Sequence, residues 1–138
     1  MRKFTIMVLL GLILSCTSKS PSGQSLDRDI RVMAQLKKTS SNARMQTFMI
    51  RVFPDKKFVE SGMEKITESF LYHADSCFYL LKNDAKLYPE YVEPIVNGIK
   101  GSYEFLVGFN NQDLSSKEYT LIYQDQIINK KKYVLTIK

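Results

Sequence analysis

Apolar and polar residues alternate in several short runs along the second half of the chain, a period of two that predicts strands. Phe48, Ile50 and Val52 alternate with Met49, Arg51 and Phe53 until Pro54-Asp55 stops the run. An apolar run over residues 77–81 leads into Lys82-Asn83-Asp84-Ala85 and then Lys86-Leu87-Tyr88. This predicts a hairpin, because Asn and Asp tolerate the left-handed conformations of a tight turn. Tyr103, Phe105, Val107 and Phe109 share one face, and Leu106 and Gly108 make the other partly apolar, which places this strand centrally in a sheet. Tyr119, Leu121 and Tyr123, and then Tyr133, Leu135 and Ile137, complete the set.

Other segments follow a different period. Leu26, Ile30, Met33 and Leu36 fall at spacings of four, three and three, which predicts an amphipathic helix over residues 26–38. Ser25 is its expected N-cap, Asp27 and Asp29 lie in its first turn, and Lys37 and Lys38 in its last. Residues 39–42, Thr-Ser-Ser-Asn, end it. Residues 61–74 are ambiguous: Ser61 and Glu64 have capping-box spacing, yet β-branched and aromatic residues dominate 66–72. Residues 89–101 and 110–117 are turn-rich, and Asn97-Gly98 is a strong turn dipeptide. The pattern therefore predicts a mainly β, antiparallel, sandwich-like domain over 45–138 with one N-terminal helix and linker over 26–44. An α+β domain is the alternative.

Length and composition narrow the class. The chain has 138 residues, 44% hydrophobic and 25% charged, which is the composition of one folded domain. Two cysteines cannot make a disulfide scaffold, and a single histidine argues against zinc sites and most His-dependent acid–base chemistry. No repeat, Rossmann fingerprint or P-loop is present.

The N-terminus carries an address. Arg2 and Lys3 precede an apolar run over residues 4–14, too short to span a bilayer and suited to a secretory signal. It ends in Leu12-Ile13-Leu14-Ser15-Cys16, which resembles the lipobox of bacterial lipoproteins, with Ile13 where that motif usually has Leu. The resemblance implies cleavage of residues 1–15, acylation of Cys16 and attachment to a membrane. Thr17 stands where an Asp would imply inner-membrane retention in Gram-negative lipoproteins, so the outer membrane is the implied location. Cleavage removes two positive charges and leaves 18 basic against 14 acidic side chains, a formal +4 rather than +6. Residues 16–25, rich in Ser with one Pro and one Gly, read as a flexible tether. No basic stripe interleaved with aromatics appears, and an exported protein meets little nucleic acid, so no nucleic-acid partner is expected.

Candidate chemistry is sparse. His73-Ala74-Asp75-Ser76-Cys77 gathers a base, a carboxylate, a hydroxyl and a thiol. On a strand, however, His73 and Cys77 would stand roughly 13 Å apart, so the spacing does not build a nucleophile and its base. Cys77 reads instead as a buried thiol at the start of a strand. Carboxylates show no paired arrangement, and no catalytic residue, metal or cofactor is expected. Tyr88, Glu90, Tyr91 and Glu93 lie on a Pro-bracketed segment that suits contact with a protein partner, or else serves as a connector. Lys130-Lys131-Lys132 reads as a solvated turn before the last strand, with anionic head groups as its alternative contact.

The architecture resembles small β-sandwich accessory lipoproteins of envelope assemblies such as type VI secretion systems. That resemblance implies a non-enzymatic subunit in the cell envelope with an envelope protein partner. A stand-alone ligand-binding or inhibitor lipoprotein is the alternative.

Overall fold

The computed structural model describes residues 19–37, 44–110, 114 and 118–138. Residues 1–18, with the signal run and Cys16, and the expected helix stop at 39–42 lie outside the described residues.

The expected N-terminal helix is replaced by a hairpin of β1 (Ser22–Leu26) and β2 (Ile30–Leu36). Ile30, Val32 and Ala34 are buried and Arg31, Met33 and Gln35 are exposed, so the operative period is two. The turn chemistry explains the misreading. Asp27 accepts hydrogen bonds at Oδ1 from the backbone N–H of Asp29 (2.8 Å) and Ile30 (2.9 Å), the bonds an acidic residue also makes at a helix start. The first strand begins at Ser22, inside the stretch read as tether.

β3 (Met45–Pro54), β7 (Tyr103–Asn110), β8 (Tyr119–Gln124) and β9 (Lys132–Ile137) form where alternation predicts strands, and β4 (Phe78–Lys82) and β5 (Ala85–Leu87) where the apolar run and its turn predict a hairpin. Asn83 and Asp84 close the β4–β5 hairpin at positive φ (49° and 63°), the conformation their side chains tolerate. A further strand, β6 (Tyr91–Ile95), forms within the segment read as turns.

The ambiguous segment is helical and starts earlier than its capping box suggests. Helix α1 (Lys56–Tyr72) is capped by Asp55, whose side chain accepts from the Lys57 N–H at 3.1 Å. Gly62 departs from helical angles (φ −169°, ψ 39°) and divides α1 into two pieces. A short 3-10 turn over Asp75–Cys77 leads into β4.

The strands form two antiparallel sheets, ordered β1-β2-β3-β7-β6 and β5-β4-β8-β9. Their inner faces contribute to one buried cluster, in which Phe48, Ile50 and Phe105 of the first sheet meet Phe78, Leu121 and Leu135 of the second. Phe78 and Phe105 make contact between the sheets, with ring centroids 5.3 Å apart. The edges β1 and β9 meet through a hydrogen bond from the Ser22 N–H to the Lys138 carbonyl (3.2 Å). Helix α1 covers the β7 side, where Phe70 stacks on Tyr103 at 4.1 Å between centroids.

Candidate functional site

The groups of the cysteine segment lie in different environments. His73 ends α1, donating its backbone N–H to the Ser69 carbonyl (2.8 Å), and its side chain is exposed along with those of Asp75 and Ser76. Cys77 has no exposed surface, and burial pushes its thiol up to about 11. A protonated, inaccessible thiol is a poor nucleophile. Native protein is therefore expected to resist a bulky thiol reagent at Cys77, with labelling appearing only across the denaturation transition. Mass spectrometry of quenched time points measures this, and rapid labelling of the native state would refute it.

The tyrosine segment is split between two surfaces. Tyr88 is exposed and stands 6.0 Å from Tyr79 on the four-stranded sheet. Tyr91 and Glu93 lie on the outer face of the five-stranded sheet, opposite Gly108 and Leu106. The Tyr91 ring covers Gly108, and its hydroxyl shares a 2.9 Å hydrogen bond with Thr47 Oγ1. Glu90 anchors the start of the strand through its N–H to the Gly108 carbonyl (2.8 Å). Much of Tyr91 is thus committed to its own sheet.

The lysine run forms the β8–β9 turn, and its middle member is tied to the β1–β2 turn. Lys131 Nζ lies 3.0 Å from both Asp27 Oδ2 and Asp29 Oδ2, while Lys57 Nζ lies 2.7 Å from Asp29 Oδ1. Asn129 and Tyr133 donate to the same two carboxylates. Burial pulls the Asp27 carboxyl upward, but the Ile30 N–H, Lys131, the Asp29 N–H and the Tyr133 hydroxyl together hold it at about 2, against an ordinary 3.8. Asp29 is also lowered, chiefly by Lys57. A folded-state value below the unfolded one means the clasp contributes fully above about pH 4 and is lost as the pH falls toward 2. Urea titrations across that range should show stability falling, and Asp27→Asn should flatten the fall. An unchanged slope in the variant would place the acid sensitivity elsewhere.

A cleft between α1 and the β6–β7 connection is the concave feature best suited to binding. It encloses about 280 Å³ between Met63, Phe70 and Leu71 on the helix and Val96, Ile99 and Tyr103 on the sheet side. The break at Gly62 starts the helical piece that forms one wall. Gly98 and Gly101, at φ 70° and 72°, shape the loop that forms the other. Its uncharged polar side chains are paired with each other: Thr67 Oγ1 with the Tyr103 hydroxyl at 3.0 Å, and Asn97 Nδ2 with Ser102 Oγ at 3.4 Å. Val96 and Ile99 stand 85% and 65% exposed at the mouth, an unfavourable position for apolar side chains unless something covers them. Tyr103 and Asn97-Gly98 are legible as strand and turn residues, but the cleft itself is not, since it joins segments about 30 positions apart. The available signal was two apolar residues, Val96 and Ile99, inside a turn-rich stretch.

Among the described residues no group of three or more histidine, cysteine or carboxylate side chains is placed to hold a metal. The arrangement offers apolar contact and no assembled acid, base and nucleophile. No protein-family model, curated protein or solved structure matches this chain.

Proposed function

We propose that this protein is a lipoprotein held in the outer membrane through Cys16, acting as a non-enzymatic accessory subunit of a cell-envelope assembly. The observation that carries the reading is the placement of the cleft relative to the incoming chain. β1 and β6 are the two edges of the five-stranded sheet. The chain joins β1 at Ser22, level with Leu106 through Gln35 and Met49, whereas the cleft is lined by Pro94 and Ile95 of β6, at the opposite edge of the sheet. Six residue steps from Cys16 to Ser22 reach at most about 20 Å. That tether holds the β1 edge near the bilayer and leaves the opposite edge, with its cleft, free to meet a partner. The shared core of the two sheets, with Phe78 against Phe105, supports a β-sandwich-like packing for the presenting domain.

The anchor is tested by mass spectrometry of the mature protein. Wild type should begin at an acylated Cys16, and Cys16→Ala should lose lipoprotein maturation and membrane retention, because the thiol is the acyl acceptor. Acyl chains contribute about 0.8 kcal/mol per buried methylene, so wild type should withstand carbonate extraction. An unmodified mature N-terminus elsewhere would overturn the lipoprotein reading. A second reading, a stand-alone ligand-binding lipoprotein, is favoured by the open, mainly apolar cleft. Purification from solubilised membranes separates the two: a stoichiometric complex supports the subunit, and an isolated monomer supports the ligand binder.

A further inference from the structure

We propose that the cleft between α1 and the β6–β7 connection binds a single-chain anionic amphiphile, an alkyl carboxylate, with the chain along the helix and the head group at Lys100. This deepens the ligand-binding reading of the cleft and does not depend on acylation of Cys16. Three observations carry it.

The first is shape. A second cavity, of about 270 Å³, adjoins the first and shares Phe70, Leu71, Pro94 and Phe105 with it. The two form a trough running between α1 and the edge strand β6, which suits a linear occupant better than a compact one. The second is the absence of polar demand. In the first cavity the Thr67–Tyr103 and Asn97–Ser102 pairs already satisfy the uncharged polar side chains, so a ligand rich in hydrogen-bonding groups would gain little there, while the adjoining cavity is the more polar of the two. An extended peptide is disfavoured for a related reason: Pro94 removes a backbone donor from β6, so a strand added at this edge would form an incomplete ladder.

The third is charge. Lys100 lines the cleft beside the exposed Val96 and Ile99, and among the described residues it makes no ion pair. Glu104 also lines the cleft, but its carboxylate is held by Arg51 Nε at 3.0 Å. Asp75 lies on the second cavity, at the far end from Lys100. The trough thus has a cationic end and an acidic end, which sets the direction of a carboxylate amphiphile.

The test uses diazirine-tagged decanoate and diazirine-tagged decanol with the full mature protein, in phosphatidylcholine nanodiscs if it is acylated and in buffer if it is not. After photolysis, adducts are mapped by peptide mass spectrometry. Decanoate adducts are expected on peptides spanning residues 63–71 and 96–103, in higher yield than decanol adducts. Lys100→Glu should reduce the decanoate yield about two- to five-fold, the range of a partly exposed ion pair, and leave decanol unchanged. Met63→Trp, which fills the cleft, should abolish both. Ile99→Asp, at the exposed mouth and outside the core, should also lower both and provides the second arm if Met63→Trp does not fold. Adducts spread evenly over the domain, or indifferent to Ile99→Asp, would overturn the site. Equal decanoate and decanol yields would overturn the head-group assignment. An empty cleft in a protein that is acylated and held in a complex would refute this inference alone, leaving the subunit reading standing.

Discussion

Asp125→Ala is expected to destabilise the domain by about 3–5 kcal/mol, enough to remove much of the stability of a chain this size. Asp125 is completely buried at the start of the β8–β9 turn. Its Oδ2 accepts the N–H groups of Ile128, Asn129 and Lys130 at 2.8, 2.6 and 3.0 Å, and its Oδ1 accepts the Tyr123 hydroxyl at 2.8 Å and the Ile127 N–H at 3.3 Å. Burial, and then the Asp125 charge, raise the Tyr123 hydroxyl far above its ordinary range, so it stays a donor at any working pH. Alanine would leave these donors without their acceptor, and the buried ones without water. Asp125→Asn should cost less, because one amide oxygen remains. Urea titration measures both, and a cost below about 1 kcal/mol for Asp125→Ala would show that the turn can satisfy itself another way. The clasp from Lys131 to Asp27 and Asp29 should loosen in the same variant, since the turn positions Lys131.

Gly23→Val is expected to cost about 1–3 kcal/mol, although the residue lies in a stretch whose composition is that of a linker. A Cβ on Gly23 would stand 2.4 Å from the Thr136 carbonyl oxygen and 2.9 Å from its carbon. Those are backbone atoms of β9 and cannot rotate away. The substitution must push β1 off β9 and strain the Ser22–Lys138 bond that joins the two sheets. Gly108→Ala provides the contrast. There the clash is with the Tyr91 ring, which can swing outward at the loss of its Thr47 hydrogen bond, so the cost should be smaller. Thermal melts of the two variants compare them directly. A wild-type melting temperature in Gly23→Val would show that β1 does not seat on β9. Under the proposed anchorage through Cys16, an unseated β1 would also lengthen the tether and release the domain from its orientation.

Much of this architecture is legible in the residues because it is local. β3, β7, β8 and β9 each carry their own alternation, β4 its own apolar run, and Asn83-Asp84 its own turn, so nearest neighbours in sequence contain the information. The separation of His73 from Cys77 is legible for the same reason, since a base and a thiol four residues apart stand well apart on extended backbone, and here His73 faces solvent while Cys77 is buried.

What only the tertiary structure decided concerns segments whose local signals are degenerate or weak. Leu26, Ile30, Met33 and Leu36 satisfy a helical stripe, while Ile30, Val32, Ala34 and Leu36 satisfy a strand, and an aspartate at position 27 serves a helix start or a turn equally well. Seven register positions paired with β3 settle it, because each strand residue gains a cross-strand partner that an isolated helix of this length lacks. The edge strands β1 and β6 are polar or Pro-containing and are held by backbone bonds to their neighbours rather than by side-chain pattern. The cleft follows the same logic: its walls come from α1 and from the β6–β7 connection, and each is unremarkable until the sheet order brings one against the other. Short-range periodicity determined which stretches could be strands; long-range pairing determined where they lie, and with that the position of the cleft between α1 and the β6–β7 connection.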